Sequence, residues 1–324
     1  MSARPRVLLT RRWTEEVERY LGERFEVTLN DGDVPLGAEA LRAAMRDYDA
    51  VCPTVTDRID AGVLGVDGRR VQLIGNFGVG YNHIDVEAAQ KLGIRVSNTP
   101  DVLTETTADL AILLLLMTTR RAGEGERELR GGRWLGWRPT HLMGQSLEGK
   151  LLGLIGFGRI AQATARKAHH AFGMRIAYHS RRRAAAEVEQ QTSAQYIDSV
   201  ETLLATCDVI SLHCPGGAST FHLINAERLQ LMKRNAVLIN TARGPVVDEA
   251  ALVAALTSRH IAAAGLDVYE EEPRVHPGLL TLENAVLLPH LGSATLETRT
   301  AMGMRVAQNL EAFFAGQPLR DPVV

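Results

Sequence analysis

Short apolar runs alternate along the first hundred residues with stretches whose apolar positions recur at helical spacing. Arg6–Leu9, Phe25–Leu29, Ala50–Cys52, Val71–Ile74 and Ile94–Val96 are brief and rich in Val, Ile and Leu, as strands covered on both faces are. Between them Leu41–Met45 and Ile84–Lys91 have the pattern of helices. Strands that alternate with helices predict a parallel sheet with helices packed on its faces. Helical patterning resumes from Thr104 to Arg121, and the Gly-, Arg- and Trp-rich stretch Gly123–Gly149 reads as a connection.

The alternation restarts at Leu151 with six strand candidates: LLGLIG at 151–156, RIAYHS at 175–180, VISLHCP at 209–215, AVLINTA at 236–242, AAGLDVY at 263–269 and AVLLPH at 285–290. The first runs straight into Gly156-x-Gly158-x-x-Ala161 and then into a helical pattern that lasts to Phe172. Glycine at 156 allows a sharp turn, glycine at 158 lets a pyrophosphate approach the backbone, and the small Ala161 lets helix and strand pack closely. The helix would point its free N–H groups, those of Arg159 and Ile160 among them, at the phosphates. Beyond the last strand, Thr295–Phe314 is one long helical pattern with no strand after it, and it most simply packs back on the N-terminal domain. The expected divisions are therefore residues 1–100, a dinucleotide-binding domain at 101–291, and a returning segment at 292–324.

Composition narrows the class of ligand. A chain of 324 residues exceeds one typical core, so two domains are expected. Lysine and arginine number 36 against 38 acids, which gives no basic footprint for nucleic acid or an anionic membrane. Cys52, Cys207 and Cys214 are widely spaced, and neither a disulfide framework nor a zinc site is indicated. No other metal site is expected, since His169 and His170 are adjacent on a helix and point apart, and His83 and His222 read as turn or surface residues. The most apolar segment, Ala111–Met117, is far shorter than the roughly 20 residues a bilayer requires. The start, MSARPRVLLTRR, lacks a signal-peptide core. Those features together predict a cytoplasmic protein with a small ligand.

Ligands of open parallel sheets lie beyond the carboxyl ends of the strands, so the polar residues there are the candidates. Arg243 follows VLINTA, Glu272 follows GLDVY, and His290 ends VLLPH. A guanidinium grips a carboxylate through two parallel bonds, a histidine exchanges a proton near neutral pH, and a carboxylate beside it favours the imidazolium. Such a set suits a 2-keto or 2-hydroxy acid.

These motifs, with His213-Cys214-Pro215, Asn240–Gly244, Gly265–Pro273 and Pro289–Thr295, together resemble the D-2-hydroxyacid dehydrogenase family over nearly the whole chain. The resemblance implies an α/β fold of two doubly wound parallel-sheet domains, one a Rossmann dinucleotide-binding domain and the other a flavodoxin-like substrate domain. It implies Arg243 as carboxylate anchor, His290 as acid/base, Glu272 as its partner, and Asp267 near the nicotinamide. It also implies a substrate loop at Asn76–Asp85, where the N–H groups of Val79 and Gly80 meet the carboxylate. Thr104, His213, Pro215 and Thr220 are expected to face the cofactor, as are Thr241, Ala242 and Gly292. Within the family, Trp134–Pro139 looks like the corresponding region of glyoxylate and hydroxypyruvate reductases, which implies a homodimer with Trp137 reaching the partner's site. Two other readings stay open: 3-phosphoglycerate or another D-2-hydroxyacid dehydrogenase, and a nucleotide-sensing binding protein of the corepressor type.

The cofactor is read from the end of the second strand of the dinucleotide domain. An NAD enzyme usually places an acid there for the ribose 2′-hydroxyl, whereas an NADP enzyme offers arginine to the 2′-phosphate. Here His179 holds that position and Ser180, Arg181 and Arg182 follow. NADPH is the expected cofactor, with NADH as a second.

Overall fold

The computed structural model describes residues 4–324. Residues 1–3, part of the start read above as lacking a leader, lie outside it. The chain forms two compact units, one running up to Leu103 and resuming at Ser293–Val324, the other Thr104–Gly292.

In the first unit β1 (Arg6–Leu9), α1 (Glu15–Gly22), β2 (Glu26–Leu29), α2 (Ala38–Asp47) and β3 (Ala50–Cys52) come first. Then follow α3 (Ala61–Leu64), β4 (Leu73–Gly75), α4 (Val86–Lys91) and β5 (Arg95–Ser97). The strands form a five-stranded parallel sheet in the order β2-β1-β3-β4-β5, which is the flavodoxin-like order. Its central strands are buried throughout, and separate apolar clusters cover the two faces. Helix α4 begins two residues later than the pattern suggested, because the Asp85 carboxylate accepts the Ala88 N–H and so acts as its cap.

The second unit opens with α5 (Thr104–Thr119) and α6 (Ala122–Arg130), followed by β6 (Leu151–Ile155), α7 (Arg159–Phe172) and β7 (Arg175–His179). It continues through α8 (Ala186–Thr192), β8 (Ala194–Tyr196), α9 (Val200–Thr206), β9 (Val209–Leu212), α10 (Ala226–Leu231) and β10 (Val237–Asn240). It closes with α11 (Glu249–Thr257), β11 (Ala263–Leu266), α12 (Pro277–Leu280) and β12 (Ala285–Leu287). The seven-stranded parallel sheet runs β12-β11-β10-β9-β6-β7-β8, a Rossmann sheet with one further strand at its β12 edge. Strand order reverses between β6 and β9, and the glycine turn follows β6 at that switch point.

Some expectations need correction. Gly123–Gly149 is not all connection, because α6 occupies its first part. Its glycines masked a helix held at the start by a bidentate Arg121–Glu124 pair at 2.8 Å. The short strand β8 and the helix α1 were not singled out from sequence. Several strands stop earlier than their apolar runs: β11 ends at Leu266 and β12 at Leu287, which releases Asp267–Tyr269 and Leu288–His290 into loops.

The last helix, α13 (Leu296–Phe314), belongs to the first unit. The Thr295 hydroxyl caps it by accepting the Thr298 N–H. It packs on α1 so closely that a Cβ at Gly303 would lie 2.8 Å from Val17 Cγ1. Gly303→Ala is therefore expected to destabilise the protein by roughly 1–3 kcal/mol through overpacking, despite alanine's better helix propensity. Urea unfolding checks this, and an unchanged or raised midpoint would refute the packing argument.

Candidate active site

The loops that follow β10, β11 and β12 are joined by polar bonds, and the side chains of interest stand on them. Asp267, 1% exposed, directs one carboxylate oxygen to the Leu291 N–H at 2.7 Å and the other to the Gly292 N–H at 2.8 Å, while its carbonyl accepts from His290 N at 2.9 Å. Burial holds this carboxyl above the ordinary aspartate range, against the two backbone donors and the charge of His290. Gripped in this way, His290 takes a left-handed backbone conformation with φ 55°. A non-glycine residue in that region costs energy and persists only where its surroundings hold it.

His290 Nδ1 lies 2.8 Å from Glu272 Oε2, and Glu272 Oε1 accepts the Tyr269 N–H at 3.1 Å. Burial opposes ionisation of Glu272, but the bond to His290, the His290 charge, the Tyr269 N–H and Arg243 together hold its carboxyl below the usual value. An ionised Glu272 takes the Nδ1 proton as its hydrogen-bond donor, so Nε2 is the ring nitrogen left for a substrate. Arg243 stands half-buried after β10, with Nη1 donating to the Ala242 carbonyl at 2.7 Å. Burial lowers its pKa and Glu272 opposes that shift, yet a guanidinium stays charged at neutral pH. Asn240 shapes this loop by accepting the Ala242 N–H and donating to the Arg243 carbonyl, both at 3.0 Å. Next comes Gly244, where a Cβ would collide with the Tyr269 carbonyl. Only glycine lets the β10 and β11 loops approach so closely.

The turn after β6 fits a dinucleotide. Gly156 has φ 86°, and a Cβ on it would meet the backbone of His213 and Cys214 at 2.7 Å. Gly158, by contrast, has nothing within 4 Å of where a Cβ would stand, so the backbone there is open to a ligand. It also starts α7 without a side-chain cap, and the first turn, with Arg159 and Ile160, contains no acid. That leaves an N-terminus suited to phosphate. Burial pushes His213 down to about 4, so its ring is neutral and is held by Ser211 Oγ at 2.9 Å. Pro215 is exposed, and its carbonyl accepts from Thr220 Oγ1 at 2.7 Å. Among the described residues the buried Thr241 Oγ1 has no hydrogen-bond partner, which marks a donor kept for something not of this chain.

At the far end of β7, His179 Nδ1 is 2.9 Å from the Ile197 carbonyl. Ser180, read from sequence as a donor to phosphate, instead donates its hydroxyl to the Arg182 carbonyl at 2.6 Å and closes the turn. Arg181 and Arg182 are exposed and form no ion pair among the described residues.

The first unit carries its candidate loop at Asn76–Gly80, after β4. Asn76 Nδ2 donates to the carbonyls of Gly78 at 2.8 Å and Gly80 at 3.1 Å, and Asn98 Nδ2 donates to that of Val79 at 2.8 Å. With the carbonyls held from one side, the N–H groups of Val79 and Gly80 have no acceptor among the described residues. Two adjacent backbone donors are thus left unused by the described residues. His83, read as a turn residue, helps to build this loop through a 2.9 Å bond from Nε2 to Asn76 Oδ1. His222 is likewise more than a surface residue, with Nε2 2.7 Å from Glu270.

Thr104 begins α5, and Thr107 of the same helix packs beside Gly292. Trp137 is 83% exposed and forms no hydrogen bond or ring contact among the described residues, so the structure does not join it to His290. Tyr269, Asn240 and Asn98 were missed by sequence reading, though each sits next to a strand end where a polar side chain can reach loop backbone. Among the described residues no helix is long and apolar enough to cross a membrane.

Residues 112–292 match the family model described as D-isomer specific 2-hydroxyacid dehydrogenase, NAD binding domain. The chain belongs to the D-isomer specific 2-hydroxyacid dehydrogenase family and is an oxidoreductase with a nicotinamide dinucleotide cofactor. It is 45% identical over 318 residues to a glyoxylate reductase of Thermococcus onnurineus, covering 97% of this chain and 94% of that one. Among solved structures it is similar to an NADPH-dependent glyoxylate/hydroxypyruvate reductase from Sinorhizobium meliloti, in complex with NADP and malonate. That likeness has a TM-score of 0.88 and 40% identity over 99% of this chain and 97% of the other. A glyoxylate reductase from Paecilomyes thermophila superposes with a TM-score of 0.86 at 35% identity, over 100% and 99% of the two chains.

Proposed function

We propose that this chain is an NADPH-preferring reductase of small 2-keto acids, glyoxylate or hydroxypyruvate, to the 2-hydroxy acids. The observation that carries the chemistry is the 2.8 Å pair between His290, after β12, and Glu272, after β11, with the charge of Arg243, after β10, acting on Glu272. The names of the relatives support the choice of substrate. When bound, the reduced nicotinamide supplies a hydride to the substrate C2 carbon. His290 gives the proton from Nε2 to the carbonyl oxygen, and Glu272 keeps the ring oriented. Arg243 holds the substrate carboxylate and polarises the carbonyl. Gly156, Gly158, Arg159 and Ile160 receive the pyrophosphate, while Thr104, Thr241, Ala242, Asp267 and Gly292 flank the nicotinamide end. The protein acts as a homodimer in the cytoplasm.

Following NADPH absorbance with a panel of 2-keto acids tests this directly. Turnover of glyoxylate and hydroxypyruvate is expected, and His290→Gln should lower kcat about 100-fold or more with little change in NADPH affinity. No turnover on any acid would instead support a nucleotide-binding role, and near-normal turnover by the variant would remove His290 as proton donor.

Glu272→Gln keeps the size of the side chain but replaces the carboxylate that His290 Nδ1 meets at 2.8 Å, and kcat should fall by about tenfold or more with little change in NADPH affinity. Steady-state kinetics and NADPH titration check this, and a variant with wild-type kcat would reduce Glu272 to a structural acid.

For the cofactor, KM for NADPH should lie below that for NADH. Arg181→Ala is expected to raise KM for NADPH by about tenfold or more, the scale of one charge-assisted bond, with KM for NADH almost unaffected. Equal KM values in the wild type would show that the arginines after Ser180 do not select the 2′-phosphate.

A further inference from the structure

Three arginines follow Ser180 in sequence, and the structure treats them differently. Arg183 is engaged by Glu189 of α8 through two bonds of 2.8 Å, from Nε and from Nη2, and its guanidinium lies 5.8 Å from the Tyr196 ring centroid. Arg181 and Arg182 form no such pair among the described residues. Glu189 also accepts the Tyr178 hydroxyl at 2.6 Å, and that hydroxyl in turn accepts the Ala184 N–H at 2.9 Å. One phenol thus sits between the helix that follows the arginine loop and the backbone that ends it.

The ring of Tyr178 reaches in the other direction. It is fully buried and stacks on Phe157, with centroids 3.9 Å apart and planes 17° apart, while Tyr196 meets it edge-on at 5.4 Å. Phe157 is the residue between the two glycines of the turn. The same side chain therefore touches the pyrophosphate turn with its face and ties the arginine loop with its hydroxyl. The titration of the cluster agrees with a closed network. The bonds from Arg183 and Tyr178 pull Glu189 down to about 2, and burial together with Glu189 pushes Tyr178 up to about 12.

We propose that Tyr178 and Glu189 are positioning residues for recognition of an adenosine 2′-phosphate, holding the 181–184 loop so that Arg181 and Arg182 face the phosphate while Arg183 is kept from it. The proposal rests on the NADPH reading above and assigns the selectivity to a network preformed in the protein. A loop held in its bound geometry loses less conformational freedom when ligand arrives, and so binds more tightly. Arg183 serves as a strut, since its donors toward Glu189 are already used.

Tyr178→Phe and Glu189→Asp test it, because both keep the net charge and so report geometry rather than electrostatics. Calorimetry with adenosine 2′,5′-bisphosphate and with 5′-AMP reads the adenosine end alone, with no catalysis required. Each variant is expected to bind the bisphosphate about three- to tenfold more weakly, the scale of one or two lost hydrogen bonds, with 5′-AMP within about twofold of wild type. In the unliganded protein, amide exchange at Ala184 should quicken by about tenfold in Tyr178→Phe, whose ring no longer offers an acceptor. Wild-type protein that binds both nucleotides equally would overturn the NADPH reading and this proposal with it. Selective wild type with equally selective variants would overturn the positioning role alone, as would weakening of both nucleotides to the same extent.

Discussion

A parallel sheet brings the ends of its strands to one edge, and there each chain must leave the ladder with its backbone polar groups satisfied by something other than a neighbouring strand. In the seven-stranded sheet much of that demand at β11 and β12 is met by one buried carboxylate. Asp267 takes the Leu291 and Gly292 N–H groups on its two oxygens and the His290 N–H on its carbonyl. Two loops from adjacent strands are thereby closed on each other. The left-handed backbone of His290 and its position beside Glu272 both follow from that closure. Such a carboxylate is costly to bury, and it is tolerated because each of its oxygens meets a backbone donor.

The same dependence on backbone runs through the neighbouring loops. The β10 loop is shaped by Asn240 and meets the β11 loop at Gly244, where no side chain fits beside the Tyr269 carbonyl. Tyr269 in turn orients Glu272 through its N–H and secures its own ring by donating to the Leu288 carbonyl at 2.9 Å. The charged groups therefore stand on a frame of short local bonds, which suits chemistry that tolerates little displacement of the reacting atoms.

What could be read from sequence is what local rules determine. The turn at Gly156 was legible because φ 86° and the close backbone of His213 and Cys214 both call for glycine. Arg243, Glu272 and His290 were legible because parallel strands place their following residues on one edge, whichever partners they then choose. The helix α6 was hidden by Gly123 and Gly125, whose weak propensity is overridden by the Arg121–Glu124 pair and by packing. The bond from Ser180 to the Arg182 carbonyl was not legible, since it depends on how the chain turns after β7. Glu189 could not be found at all from sequence, because its meeting with Tyr178 depends on where α8 lies against the end of β7.

The two units also present hydrogen-bond donors beyond their strand ends by different means. The second unit presents side-chain charge, in Arg243 and in the arginines after Ser180, whereas the first presents backbone N–H groups at Val79 and Gly80 with their carbonyls held by Asn76 and Asn98. A guanidinium carries its charge wherever its flexible stem takes it, so it discriminates by charge and needs neighbours to fix its direction. Backbone donors have no stem to move, and their direction is set once the loop is folded. Asparagine is suited to the second task, because one amide supplies both the donors that hold the carbonyls of residues 78 and 80 and the acceptor that holds His83. An aspartate at 76 could accept from His83 but could not donate to either carbonyl, so the loop would lose both of those bonds.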